Sequence, residues 1–381
     1  MKRPDLPTRN THTDPPVRRP RRTRRRRTVA IIGAAVVLAV LASGAFAVAQ
    51  LQGNLTTAPL RASSPEGATG DASSSETDAV NLLLLGSDGR ALESDVFGED
   101  DGTERSDAMV LAHISADNTR IDAVQLPRDT LMDLPACSDT GRGSTSGGEG
   151  MLNSALNYGP ACSVAAVEKL TGVQIDHFVQ MDFEGFIGMV DALGGIDVCL
   201  PEPLEDGHAL LDLPAGQQVV DGANALARTR HALAEGSDIA RLGHQQMVLS
   251  AIVQKATRSE VLVRPDRLYS FIDAATSSMT VDPDLGTLAD LVELAARAVK
   301  VPLADVTFLT MPWGEAPQDR NRVVPAPDAE TAFRALRDDV PLELATDEAA
   351  PDAVVPDSSG ADRPHAIDAV NRSADTDLCA P

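Results

Sequence analysis

The chain has 381 residues, 43% of them hydrophobic, enough for one large domain or two small ones plus tails. A formal charge of -23 and an aromatic content of 3% argue against a nucleic-acid partner and against a carbohydrate surface built from stacked aromatics. The charge is uneven: residues 1–28 hold eleven Lys/Arg against two Asp, which leaves -32 on the rest.

Eight arginines between Arg18 and Arg27 directly precede Val29 to Leu51, a run of 23 uncharged residues long enough to span a bilayer as a helix. The positive-inside rule puts the N-terminus in the cytoplasm and everything after about residue 52 outside. A cleaved signal peptide ending at Ala47-Val48-Ala49 competes, but the apolar core is longer than a signal h-region, which favours an uncleaved anchor. The chain therefore divides into a basic cytoplasmic arm (1–28), a transmembrane helix (29–51), a flexible Ser/Thr/Gly-rich stalk (52–78), an extracellular domain (79–343) and an acidic tail (344–381) expected to be disordered. All four cysteines fall on the outer side, compatible with two disulfides. Cys137 and Cys162 are the closest in sequence, and Cys199 with Cys379 would then tie down the tail, but spacing alone leaves the pairing open.

The domain opens with a strand at Asn81–Leu85, closed by Gly86. A second strand, Ala108–Ser115, and a third, Arg120–Leu126, flank the turn Ala116-Asp117-Asn118 and predict an antiparallel hairpin. If the first strand also pairs antiparallel with the second, Ser87 to Arg90, Arg105 to Asp107 and Arg128-Asp129 gather at one end of a sheet. The loop Ser138–Gly150 has no apolar residue and reads as mobile. A helix follows at Pro160–Leu170 with Gly172 as its stop, then a strand at His177–Asp182, a helix at Phe183–Leu193 and a strand at Ile196–Leu200. Further helices are expected near Pro265–Thr276 and Thr287–Val299, and a strand at Val306–Met311. Alternating strands and helices indicate an α/β layer structure.

Between these lies Ala225 to Gln246, which places Arg228, Arg230 and Arg241 within fourteen residues of an otherwise acidic chain. Guanidinium forks suit phosphate or carboxylate. Ser237–Lys255 reads as a helix with Leu242, Leu249, Ile252 and Val253 on one stripe and Asp238, Arg241 and Gln245 on that same face. This is one wall of a pocket, polar at the mouth and apolar inside, or else a buried structural Asp–Arg pair. A phosphorylated ligand would suit the arginines, and Asp88 with Asp107 are candidate Mg²⁺ ligands, although both also fit ordinary turn chemistry. His113 reads as a satisfied core histidine. No Walker A, GxGxxG or GxSxG sequence occurs, so nucleotide folds and serine hydrolases have no support.

The succession Asn81 to Arg90 (NLLLLGSDGR), Arg105-Ser106-Asp107 and Leu126 to Thr130 (LPRDT), followed by Val190 to Val198, Ala227 to His231 and Gly236 to Gln245, resembles the LytR-CpsA-Psr family of bacterial cell-wall proteins. The resemblance runs from about Val80 to Val261. It implies an α/β fold with a mixed central sheet flanked by helices, an apolar lipid tunnel, and one preceding transmembrane helix. It also implies a Mg²⁺-assisted phosphotransferase outside the cytoplasmic membrane. Such an enzyme moves a glycopolymer from a polyprenyl-pyrophosphate carrier to the 6-hydroxyl of peptidoglycan N-acetylmuramic acid. By position Arg128, Arg228, Arg230 and Arg241 would bind pyrophosphate, with Asp88 and Asp107 holding Mg²⁺ and Arg90, Asp238 and Gln245 assisting. The sequence departs from the family pattern at Met151, at Tyr158-Gly159-Pro160 and at His244, where basic groups or Gly-Gly-Pro are usual. Hydrolysis of the same pyrophosphate, or non-catalytic binding of prenyl phosphates by a regulator of envelope assembly, are the alternatives.

Overall fold

The computed structural model describes residues 42–61, 78–88, 104–200, 203–206, 211–230, 238–258, 264–342 and 371–375, with the backbone alone for 204–206, 211–212, 230, 238–241, 320 and 371–372. Residues 1–50 and 51–381 form two separate units. Within the first, residues 42–50 are helical; the basic arm and most of the expected membrane span lie outside the described residues. Among the described residues no helix is long and apolar enough to cross a membrane.

The second unit is built on a mixed eight-stranded sheet in the order β1-β12-β7-β2-β3-β4-β13-β16. Its strands are β1 (Thr56–Thr57), β2 (Val80–Ser87), β3 (Ser106–Ile114), β4 (Ile121–Gln125), β7 (His177–Asp182), β12 (Met279–Val281), β13 (Val306–Thr310) and β16 (Asn371–Ser373). β2, β3 and β4 pair antiparallel in sequence order, as the turn at residues 116–118 demands, while β7 lies parallel to β2 and β13 parallel to β4. Two-stranded ribbons complete the strands: β5 (Leu131–Leu134) with β6 (Gly148–Met151), β8 (Ile196–Leu200) with β11 (Gly216–Val220), β9 (Leu204–Asp206) with β10 (Leu211–Leu213), and β14 (Trp313–Ala316) with β15 (Asp319–Pro325). The helices are α1 (Pro160–Thr171), α2 (Phe183–Ala192), α3 (Gly222–Arg230), α4 (Asp238–Ala256), α5 (Pro265–Ser277), α6 (Leu288–Ala298) and α7 (Ala329–Arg337).

Strand periodicity divides the core. Leu83, Leu85, Met109, Leu111, Val124 and Phe178 point to one face and pack with Val164 and Val167 of α1 and Phe333 and Leu336 of α7. The neighbouring residues in register face α2, α3 and α4 instead. There a second cluster joins Val190, Ile196, Val198, Ala225, Val248 and Ile252. α2 and α3 approach so closely that a Cβ on Gly222 would sit 2.3 Å from the Ile187 carbonyl oxygen, so only glycine fits. Gly172 ends α1 as expected, in the left-handed conformation (φ 66°), with its N–H donating to the Glu168 carbonyl.

Several segments differ from the sequence expectation. The loop Ser138–Gly150 is not featureless: its end is β6, a bridge pairs Cys137 with Thr145, and the Cys137–Cys162 disulfide joins it to α1. Cys199 is also disulfide-bonded, its other half lying outside the described residues. The first part of the stretch read as a stalk has a place in the fold, with β1 on the sheet edge, and Leu51, the last residue of the expected membrane span, is buried there too. Within the acidic tail, β16 pairs with β13 and Ala374 is fully buried. His113 is 1% exposed and satisfied, with Nδ1 2.8 Å from Asn81 Oδ1 and Nε2 3.0 Å from Asp339 Oδ1.

Candidate functional site

The polar clusters at the ends of β2, β3 and β4 do converge. The Asp88 carboxylate accepts from the Arg105 backbone N–H at 2.6 Å, while the Asp88 N–H donates to the Arg105 carbonyl at 3.1 Å. Arg128, leaving β4, donates from Nη1 to Asp107 Oδ1 at 2.5 Å and lies 3.7 Å from Asp129. A β-bulge explains how Asp107 comes to be there. Gly86 pairs with Ala108 but Ser87 with Ser106, so Asp107 is an extra residue with no partner across the ladder. The bulge breaks the alternation and lets Asp107 and Ala108 line the same cavity.

That cavity has a volume of about 360 Å³ and lies between the sheet and α2, α3 and α4. Leu84, Val110, Val179 and Phe308 form its sheet wall, and Phe186, Met189, Leu249 and Ile252 are among its helical lining. At its polar end Gln245 accepts from Gln125 Nε2 at 2.5 Å and donates to the carbonyls of Asp107 (3.3 Å) and Thr229 (3.4 Å). One side chain thus links three elements of the site, β3, α3 and β4. Gln246 reaches Thr310 of β13 at 2.9 Å, fixing α4 to the sheet. Of the face expected for α4, Gln245, Leu249 and Ile252 line the cavity, but the helix is buried on more than one face: Leu242, His244, Gln246, Met247, Val248 and Ser250 are all buried.

Other expected residues stand differently. Arg228 is 2% exposed, with Nη2 3.3 Å from Met247 Sδ, and the cavity takes Leu226 and Thr229 from its helix instead. The side chains of Arg230, Asp238 and Arg241, which end α3 and begin α4, and the whole of Arg90 lie outside the described residues.

Residues not singled out from sequence also gather here. Glu104 accepts from Ser87 Oγ and from Gln180 Nε2 (2.6 Å), and Arg142 of the disulfide-anchored loop forms an ion pair with it. Arg322 of β15 lies 3.2 Å from Asp129, beside Arg128. Only the fold brings these loop and ribbon residues to the strand ends; a basic residue in a glycine-rich loop was the one signal that could have pointed to Arg142.

The carboxylates that could offer oxygen to a divalent cation here are Asp88 and Asp107, at adjoining strand ends, bonded in this structure to the Arg105 N–H and to Arg128. Among the described residues no group of three or more His, Cys, Asp or Glu could cage a metal. Two carboxylates suit Mg²⁺, which retains waters and draws further ligands from substrate phosphates. At the opposite end of β7, burial disfavours the charged form of His177, but the hydrogen bond and charge of Asp282, aided by Asp176 and Asp284, outweigh it and hold its pKa above the ordinary value.

Known proteins resemble the chain over this same region. The model of the LytR_cpsA_psr family matches residues 48–336. The probable cell wall biosynthesis protein LcpB of Corynebacterium glutamicum is 32% identical over 212 residues, covering 54% of this chain and 49% of that protein. LcpA of the same organism, a cell wall biosynthesis protein, is 28% identical over 61% of this chain and 50% of its own length. TagU of Bacillus cereus, named a polyisoprenyl-teichoic acid–peptidoglycan teichoic acid transferase, is 32% identical over 48% and 54%. The chain spans about half the length of these relatives. Among solved structures, a LytR-Csp2A-Psr enzyme from Actinomyces oris superimposes with a TM-score of 0.55 at 22% identity, covering 74% of this chain and 96% of that one. Bacillus subtilis TagT does so at 0.51 and 20%, with the same coverage. The chain belongs to the LytR_cpsA_psr family.

Proposed function

We propose that the chain is a membrane-anchored, Mg²⁺-dependent phosphotransferase that moves a glycopolymer from a polyprenyl-pyrophosphate carrier to peptidoglycan, forming a phosphodiester with the N-acetylmuramic acid 6-hydroxyl. The observation that carries this reading is the join between an apolar cavity and a charged strand end, made at Asp107 by the β-bulge. The prenyl tail occupies the cavity, and the diphosphate lies at its polar end. TagU's name and a structure of TagT bound to LI-WTA support the same class of substrate.

Catalysis here is mainly orientation and charge neutralisation. Arg128, whose Nη1 is bonded to Asp107, would offer its guanidinium to the diphosphate. Arg230 and Arg241 add positive charge from the ends of α3 and α4. Gln245 holds β3 and α3 at a fixed separation so that this constellation does not spread. Mg²⁺ bound by Asp88 and Asp107 would offset the charge that develops on the diphosphate oxygens.

The test incubates the full chain in nanodiscs with a short-chain prenyl-pyrophosphate sugar, Mg²⁺ and a peptidoglycan oligomer, and follows products by mass spectrometry. The expected product is a phosphodiester conjugate that EDTA abolishes. Prenyl phosphate and free sugar phosphate alone would instead identify a hydrolase.

A further inference from the structure

α6 is amphipathic in an unusual sense. Leu291, Leu294 and Ala298 are half-buried toward the domain, and no residue of the helix is fully buried. Its outward face is apolar too: Val292, Ala295, Ala296 and Val299, at spacings 0, 3, 4 and 7, are all exposed, the two valines at 55% and 56%. The charged wedge of Asp290, Glu293 and Arg297 lies between the two faces. Asp290 is used in the capping box, and Arg297 is bonded to Asn118 and to the Asp78 carbonyl. An apolar outward face on a well-capped helix calls for an apolar partner.

Chain connectivity identifies that partner. Gln52, one residue after the apolar run Val29–Leu51, donates to the Gly286 carbonyl at 2.8 Å and accepts from the Leu288 N–H at 2.8 Å, so its side chain holds the first turn of α6. Asn54 bonds Asp273, Thr276 and Ser277 at the end of α5. The segment that directly follows the run is thus bonded to the start of α6 and the end of α5.

We propose that α6 seats the domain on the membrane, its Val292–Val299 face entering the lipid headgroup boundary beside the anchor's exit. This rests on the anchored reading given above. With -32 on the chain after residue 28, attraction to anionic lipid does not supply the contact; the apolar face does, with exposed Lys300 able to reach the headgroups. A seated domain would hold the cavity at a fixed height above the leaflet that supplies a prenyl lipid.

The chain contains one tryptophan, Trp313, which allows a direct test. The full chain carrying Trp313→Phe and Val292→Trp is reconstituted in phosphatidylcholine vesicles with or without brominated acyl chains. A matching chain carries its tryptophan at Val340, exposed just beyond α7. Bromolipid should quench the α6 tryptophan by more than half and leave the one at position 340 unchanged, and adding Val299→Asp should reverse the quenching. Equal, weak quenching at both positions in protein that floats with the vesicles would overturn the seat while leaving the anchor intact. Protein that does not float with the vesicles would overturn the anchored reading and the seat with it.

Discussion

On the Leu83 side of the central sheet, alternate residues of β2, β3 and β4 are closed against α1 and α7. On the Leu84 side, the intervening residues of the same strands border a cavity of about 360 Å³. Both sides are apolar, so hydrophobicity does not distinguish them. The difference lies in how the helices are held. α1 and α7 press directly on the strands, whereas α4 is pinned by Gln246 to Thr310 and α3 is set by its close approach to α2 at Gly222. Side chains facing the sheet can then leave space without the layer collapsing. An apolar hollow costs packing energy, so keeping one open implies an occupant that fills it.

The largest effect should come from the filled side. Phe178→Ala removes a fully buried ring and should cost about 3–5 kcal/mol in urea unfolding. A loss under about 1 kcal/mol would mean that this face is also loosely packed. Next comes the join between the two halves of the site: Arg128→Ala should lower turnover about a hundredfold, equivalent to about 2.7 kcal/mol. Unchanged turnover would remove Arg128 from the site. Leu249→Phe adds bulk to the hollow and should weaken prenyl-lipid binding about tenfold, about 1.4 kcal/mol, while leaving the melting temperature nearly unaltered. A clear loss of stability would mean the space is smaller than it looks. Leu84→Ala, on the hollow side, should cost only about 1 kcal/mol because its wall is already open.

The smallest effect is one of pH. Because the folded pKa of His177 is raised, its bond to Asp282 contributes fully below the unfolded pKa, about 6.5, and is lost as pH rises through the higher folded value. The melting temperature of the native chain should therefore approach that of a His177→Gln variant as the solution is made alkaline. A gap that stays constant across this range would show that the bond does not depend on the imidazolium.

Much of this arrangement was legible in the sequence. The strands expected at residues 81–85, 108–115 and 120–126 followed from short apolar runs and the turn between the last two, and the structure has them at 80–87, 106–114 and 121–125; the supposed antiparallel pairing of the first two is present and puts Asp88, Asp107 and Arg128 at one end. The bulge that turns Asp107 toward the cavity was not legible, because nothing in Arg-Ser-Asp-Ala announces a slipped register; it is a property of the pair of strands. α4 was read as one-faced because His244, Gln246 and Ser250 look like solvent residues, yet all three are buried. Arg228 was placed with the other arginines by its spacing, but depth depends on how α3 packs on α4, which spacing does not encode. β16 was hidden for a related reason: Asn-Arg-Ser has no strand propensity of its own and is a strand only because β13 offers it an edge.

That last strand bears on how the molecule is made. β13 carries Phe308 and Leu309, and without β16 its outer edge would present unpaired backbone groups to any neighbouring chain. The residues that cover it come from the acidic tail, with Gln254 of α4 fastening the Ala374 carbonyl at 2.6 Å. The sheet is therefore closed by a strand that returns from far along the chain after β13, and until it docks the edge stays open to mispairing. A tail whose composition suggests that it could be trimmed is, in its final strand, the seam that closes the domain.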